Sequence, residues 1–287
     1  MQKITVSSEY FNAADTLLCG QLFRFSPSDN GYFVVSGDKA CRVATENGFT
    51  AIECEDKDKD YFYRYFDLGR DYSAIVARAK SFGGTLSVAA ELGKGVRILN
   101  QNAEEALFSF VVSQNNNIPR IKGIIERLCA ALGEEKTFCG VKYRSFPAAE
   151  VMALENEEFY RGIGLGYRAP FIKRLAESVV SGETNTDEMR ALSAKELKNR
   201  LLKIYGVGRK VADCVSLFGF HRSDAFPVDV WIEKVYRENF CGTLTDREKI
   251  SEWFVSEFGE DSGYFQQYLF YYKRSLEKNL RRESDLL

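Results

Sequence analysis

The chain is 287 residues long, 45% apolar and 28% charged, with a formal net charge of -2. That length suggests about two domains with a large core, and the balanced charge excludes a protein that coats nucleic acid through overall basicity, though not a locally basic face. Seven cysteines without a CxxC pair, and the single His221, exclude a disulfide framework, a four-cysteine metal site and a histidine-based triad or metal centre.

The opening stretch MQKITVSSEYFNAADTLL lacks the apolar run of a signal peptide, and no stretch approaches the ~20 apolar residues of a spanning helix. A reducing, non-membrane compartment is expected. Up to about residue 80 the chain reads mainly as β-structure. FVV (33–35), CRVAT (41–45) and FTAIEC (49–54) are rich in β-branched and aromatic residues, with NG and GD turn signals between them. The run EDKDKD (55–60) reads as a solvated loop.

From about residue 100 the apolar spacing becomes helical. Asn102 precedes AEEALFSFVV as a cap, and Pro119 opens a helix with Ile121, Ile124, Ile125, Leu128, Cys129 and Leu132 on its apolar stripe, stopped by Gly133. Ala169 and Pro170 begin another, with Phe171, Ile172, Leu175, Ala176 and Val179 inward and Gly182 at its end. Ser193 and Glu196 form a capping-box pattern for a helix through Leu197, Leu201 and Ile204. The turn GVG (206–208) leads into a helix with Val211, Cys214, Val215 and Phe218 on one stripe, closed by Gly219. Asp229 stands at the cap position before VWIEKVYREN, and a last helix carries Phe265, Tyr268, Leu269, Tyr272 and Leu276. The expected class is α+β, with a β-rich domain over residues 1–100 and a helical region over 101–287.

Two helices joined by Gly-x-Gly can present unpaired backbone N–H groups to a phosphate. Between Ser193 and Lys210 stand six basic residues (Lys195, Lys198, Arg200, Lys203, Arg209 and Lys210) against one acid, Glu196. Spacing alone fits an ordinary helical hairpin with a solvated basic face equally well. Taken singly, Lys210 is a lysine lying along an apolar stripe and Asp229 is a helix cap. The joint arrangement, a lysine after an anion-binding turn and a carboxylate at a helix start 19 residues later, shifts the balance away from those single readings.

On these residues the chain resembles the helix–hairpin–helix base-excision DNA glycosylases, and within them the 8-oxoguanine DNA glycosylases. The resemblance rests on GQLFRF (20–25), LFSFVVSQNNNIPRI (107–121), GLGYRA (164–169), GVGRKVADC (206–214), PVDVW (227–231) and YFQQYLF (264–270), which together span most of the chain. It implies an antiparallel twisted sheet before helical glycosylase domains. It also implies a bifunctional glycosylase and β-lyase that removes 8-oxoguanine, preferably opposite cytosine, from duplex DNA. Lys210 would attack the sugar as a neutral amine and form a Schiff base, while Asp229 would stabilise the oxocarbenium-like charge. Partial burial, with positive charge from Arg209 or Lys203, is expected to favour the neutral amine.

The resemblance places the flipped base between Cys214 and Phe270, with Gln266 at its Watson–Crick edge. Gln267 is a one-residue alternative for that role. The Gly20 carbonyl would accept the N7–H of the oxidised base. Asn115, Arg120 and Arg168 match contacts to the orphaned cytosine, Tyr167 matches a wedge in the stack, and Gly206 and Gly208 match the phosphate-binding turn. Trp231 stands where several relatives carry a histidine near the phosphate, and an indole cannot become cationic. No cofactor or catalytic metal is implied. A structural cation on the carbonyls of Leu202, Ile204 and Val207 fits the resemblance but leaves no side-chain mark. The expected partner is double-stranded DNA containing 8-oxoguanine, the expected state a monomer. The expected location is cytoplasmic and nucleoid-associated in a bacterium, nuclear in a eukaryote. Two other readings stay open at this point: a sister glycosylase for another purine, and a silent DNA-binding helix–hairpin–helix protein. No glycine-rich nucleotide motif after a strand favours a metabolic enzyme.

Overall fold

A computed structural model describes residues 1–284, with side chains to residue 277. Five strands, β1 (Gln2–Ser7), β2 (Phe25–Ser28), β3 (Gly31–Ser36), β4 (Lys39–Glu46) and β5 (Phe49–Cys54), form one antiparallel sheet in the order β1-β5-β4-β3-β2. Helix α1 (Ala13–Leu18) connects β1 to β2. The alternation in β4 and β5 buries Cys41, Val43, Ile52 and Cys54 on one face, against Phe11, Phe62 and Phe66. The charged run 55–60 departs from expectation. It is a 3-10 turn leading into α2 (Lys59–Tyr65), and Asp58 is buried and paired with Lys39 at 3.4 Å. The apolar stripe that follows it, Phe62, Tyr65 and Phe66, draws the run down onto the sheet.

Helices also begin earlier than the spacing suggested. α3 (Tyr72–Ser81) and α4 (Gly84–Leu92) precede residue 100, and their Tyr72, Ile75, Val76, Leu86 and Ala89 join the helical core. α5 (Ala103–Val112) starts at Asn102, whose side chain accepts from Glu105 N at 3.0 Å, and α6 (Ile118–Leu132) starts at Asn117 with Pro119 in its first turn. A hairpin not foreseen from sequence, β6 (Glu135–Phe138) and β7 (Val141–Arg144), sets Phe138 and Tyr143 against Phe33 on the second face of the sheet. Its four-residue strands are too short to show a period.

The remaining helices are α7 (Ala149–Leu154), α8 (Glu157–Gly162), α9 (Ala169–Val180), α10 (Thr186–Arg190), α11 (Ala194–Leu202), α12 (Arg209–Phe218), α13 (Val230–Asn239), α14 (Arg247–Phe258) and α15 (Ser262–Ser284). Both hydrogen bonds of the Ser193–Glu196 capping box form at the start of α11. One core of aliphatic and aromatic side chains runs through α3 to α15. No helix among the described residues is long and apolar enough to cross a membrane.

Candidate active site

The turn between α11 and α12 is built around Gly206. Its φ is +86°, and a Cβ there would collide with the Phe171 ring, so only glycine fits. Gly208 has an ordinary extended backbone, and a Cβ on it would meet nothing within 4 Å. Its lack of a side chain therefore leaves the start of α12 open rather than relieving strain. Gln114 Nε2 donates to the Gly206 carbonyl at 2.9 Å, tying the turn to the end of α5. No spacing signal marked that glutamine. Of the three hairpin carbonyls that a cation would need, Ile204 O already accepts from Val207 N at 3.0 Å, which leaves it one lone pair.

Two of the six basic residues read from the sequence are answered by acids from other helices. Lys198 pairs with Asp213 at 3.0 Å, and Arg209 pairs with Glu248 at 2.6 Å. Arg209 is thus turned to α14 rather than held as a charge for Lys210. Among the described residues, Lys195, Lys203 and Lys210 form no ion pair. Asp213 is buried, and burial pushes its carboxyl up to about 6, against the opposing effect of Lys198. The folded chain then holds the proton more tightly than the unfolded one between about pH 4 and 6, so this group's contribution to stability grows as pH falls through 6. Relative to Asp213→Asn, the wild type is expected to gain up to roughly 3 kcal/mol in urea unfolding between pH 7 and pH 4. An unchanged difference between the two proteins would refute this.

Lys210 lies in the first turn of α12, half-buried, with its Nζ 5.8 Å from the centre of the Phe110 ring. Cys214 is one turn further on and 3% exposed. Burial pushes its thiol up to about 11, against the charge of Lys210 beside it, so the thiol is neutral at pH 7. The charges of Lys210 and Asp229 both act on this thiol, which brings the three side chains into one site. Asp229 caps α13: its Oδ1 accepts from Trp231 N at 2.9 Å and Ile232 N at 3.0 Å. Its Oδ2 accepts no hydrogen bond among the described residues and is left for a ligand. Trp231 is half-buried, and Lys234 Nζ lies 5.5 Å over its ring, so a cation does stand near the indole.

The opposite wall comes from α15 and the turn after α1. Gly20 has φ +96°, and a Cβ on it would lie 2.9 Å from Arg274 Nη1 and 3.3 Å from the Phe270 ring. Its carbonyl accepts no bond among the described residues. Gln21 pins this turn: fully buried, it donates to Arg97 O at 2.7 Å and accepts from Leu99 N at 2.8 Å. Gln267 Nε2 donates to Cys19 O at 3.2 Å. That bond engages the Gln267 amide in the scaffold. Gln266 donates to Pro227 O at 3.1 Å, two residues before Asp229, while its buried Oε1 has no partner. A buried acceptor of that kind is expected where the partner arrives with a ligand.

A third group gathers at the end of α5. Asn115 is exposed at φ +44°, and its Nδ2 donates to Tyr167 Oη at 3.3 Å. Tyr167 is exposed, and Arg120 is exposed one turn into α6. Arg168 differs from the sequence expectation of a group free to contact a base. It is 3% exposed, and its guanidinium donates to Gln114 O at 2.8 Å and Asn115 O at 3.0 Å. Here it holds the Asn-rich turn in shape, and its donors are engaged because the turn's carbonyls have no helix to satisfy them.

The family model for the N-terminal domain of 8-oxoguanine DNA glycosylases matches residues 3–107, and that for HhH-GPD superfamily base excision DNA repair proteins matches residues 108–256. The chain belongs to the 8-oxoguanine DNA glycosylase family. A "Probable N-glycosylase/DNA lyase" of Methanothermobacter thermautotrophicus is 30% identical over 209 residues, 66% of this chain and 67% of that protein. The N-glycosylase/DNA lyase of Saccharomyces cerevisiae is 35% identical over 159 residues, 51% of this chain but 42% of its own length. The 8-oxoguanine glycosylase/lyase of Clostridium acetobutylicum, solved with double-stranded DNA carrying cytosine opposite 8-oxoG, superposes with a TM-score of 0.89 at 32% identity. That match covers 96% of this chain and 99% of the other. This family member therefore shares both the sheet domain and the helical domain with a solved relative.

Proposed function

We propose that this chain excises 8-oxoguanine from duplex DNA and then cleaves the strand, using Lys210 as a Schiff-base nucleophile. The observation that carries the reading is the convergence of Lys210, Cys214 and Asp229 in one electrostatic neighbourhood. The family's glycosylase/lyase relatives support it.

The target base has to leave the stack to reach these groups. A flipped purine would stack between the Phe270 ring and the small neutral thiol of Cys214. Gln266 has an acceptor without a partner and an amide donor, which suits the N1–H and N2–H of guanine and its O6. The Gly20 carbonyl accepts N7–H from the oxidised base and faces a bare lone pair on normal guanine. As the C1′–N9 bond breaks, its electron pair leaves with the base, which takes up a proton. The Asp229 carboxylate offsets the positive charge on the sugar. The neutral Lys210 amine bonds to C1′ and gives up one proton, the C1′–O4′ bond breaks as O4′ takes up a proton, and an open-chain iminium remains. Removal of a 2′ proton then expels the 3′ phosphate.

Asn115, Arg120 and Tyr167 stand together where the opposite strand would pass. An arginine can donate twice to one base edge, so a preference for cytosine is assigned to Arg120. Arg120→Ala is expected to lower the ratio of cleavage opposite cytosine to that opposite adenine by about tenfold, the scale of one bidentate base contact. An unchanged ratio would remove Arg120 from that role. The reading as a whole is tested by release of free base from duplexes containing 8-oxoguanine, 3-methyladenine or guanine. Release of 8-oxoguanine alone supports it, and release of the alkylated base instead would favour a sister glycosylase.

A further inference from the structure

We propose that Arg274 is a further reader of the flipped base, donating a hydrogen bond to the C8 carbonyl oxygen that guanine lacks. This rests on the functional reading above and deepens it. Gln266, Phe270 and Arg274 recur at four-residue intervals on α15, so they project from one side of the helix. The first and last lie about 12 Å apart along its axis, which spans the long dimension of a purine. With Gln266 at one end of the base and Phe270 beneath it, Arg274, whose guanidinium lies over the Phe270 ring here, would stand at the imidazole end once a base stacks on that ring.

Its geometry places it beside Gly20. Nη1 is 2.9 Å from the point where a Gly20 Cβ would stand, and the guanidinium carbon is 5.4 Å from the centre of the Phe270 ring. Arg274 makes no hydrogen bond and no ion pair among the described residues. Burial lowers its pKa, while the charge of Asp229 acts the other way. A partly desolvated guanidinium with five donors and no acceptor is costly unless a ligand supplies one.

The chemistry of the lesion supplies that acceptor. Oxidation at C8 turns the guanine edge from a bare N7 and a C8–H into an N7–H donor next to a C=O acceptor. The Gly20 carbonyl answers the first and an Arg274 N–H answers the second. Guanine loses both bonds and leaves both protein groups unpaired, which is how a polar site rejects an analogue strongly. A DNA phosphate offers oxygen acceptors too, so the test separates the base from the backbone.

Binding is measured for Lys210→Gln, which keeps the base attached, alone and combined with Arg274→Met or Arg274→Lys. The duplexes carry 8-oxoguanine, guanine or a tetrahydrofuran abasic analogue, each opposite cytosine. Arg274→Met is expected to weaken binding to 8-oxoguanine about tenfold or more, the scale of a hydrogen bond to a charged group. Affinity for the abasic duplex should stay unchanged, which also shows that the variant is folded. Arg274→Lys should recover part of the loss. An equal loss on the lesion and abasic duplexes would make Arg274 a backbone contact and overturn the proposal. So would tighter binding of the 8-oxoguanine duplex after the arginine is removed, which would mark it as a plug. If Lys210→Gln itself binds lesion and guanine alike, the functional reading fails as well. If it prefers the lesion and Arg274→Met keeps the whole preference, only this inference fails.

Discussion

Lys210→Gln is expected to abolish the covalent protein–DNA band formed with borohydride on an 8-oxoguanine:cytosine duplex, and to slow base release by roughly 10³-fold or more, as removal of a nucleophile does. The amide keeps the length and polarity of the lysine stem but cannot bond to C1′. The cost to folding should be small, because Lys210 is half-buried and forms no ion pair among the described residues. Two results would discriminate. Full base release with no band would leave a glycosylase that uses water in place of the amine. A band that persists in the variant would move the Schiff base to another amine.

Asp229→Asn separates the cap that Asp229 forms from the charge role proposed for it. As the cap of α13, Asp229 accepts from Trp231 N and Ile232 N. Asparagine caps about as well as aspartate, so the variant should fold with nearly unchanged stability. As a charge, however, the carboxylate has no substitute in the amide. Loss of one electrostatic contact to a transition state costs about 10²–10³ in rate, so glycosylase turnover should fall by that scale while DNA binding holds. Asp229→Ala should in addition lower stability by about 1 kcal/mol, the usual cost of losing a cap. Thermal melts beside single-turnover rates would test both halves. A normal rate in Asp229→Asn would reduce the residue to a cap.

Much of the helical region was legible from local chemistry. Asn102, Ser193 and Asp229 cap helices as their positions suggested, because a cap is a contact within four residues. The strands β3, β4 and β5 were legible for a similar reason: β-branched and aromatic residues stand in consecutive positions between NG and GD turns. The early helices α3 and α4 and the hairpin β6–β7 were missed. Tyr72 and Leu86 bury against residues far along the chain, such as Tyr264 and others of the helical core. Their partners, not their own spacing, decide their fate.

The site divides in the same way. Lys210, Cys214 and Asp229 could be named because the turn, the helix stripe and the cap are each local patterns. The partners of the basic residues could not. Lys198 and Arg209 looked free until Asp213 and Glu248 came in from α12 and α14. The bonds that bury Arg168 against the Asn-rich turn carried no signal in the sequence. The choice between Gln266 and Gln267 rested on which one faces Pro227 and which faces Cys19. Sequence by itself therefore determined the family and the elements with short-range signals, and it named the candidate side chains. Tertiary structure alone decided which charges are neutralised, which donors are engaged, and that Gly20, Phe270 and Arg274 share one wall. Those outcomes depend on contacts across as many as 250 or so residues of chain, and local propensity carries no information about such pairings.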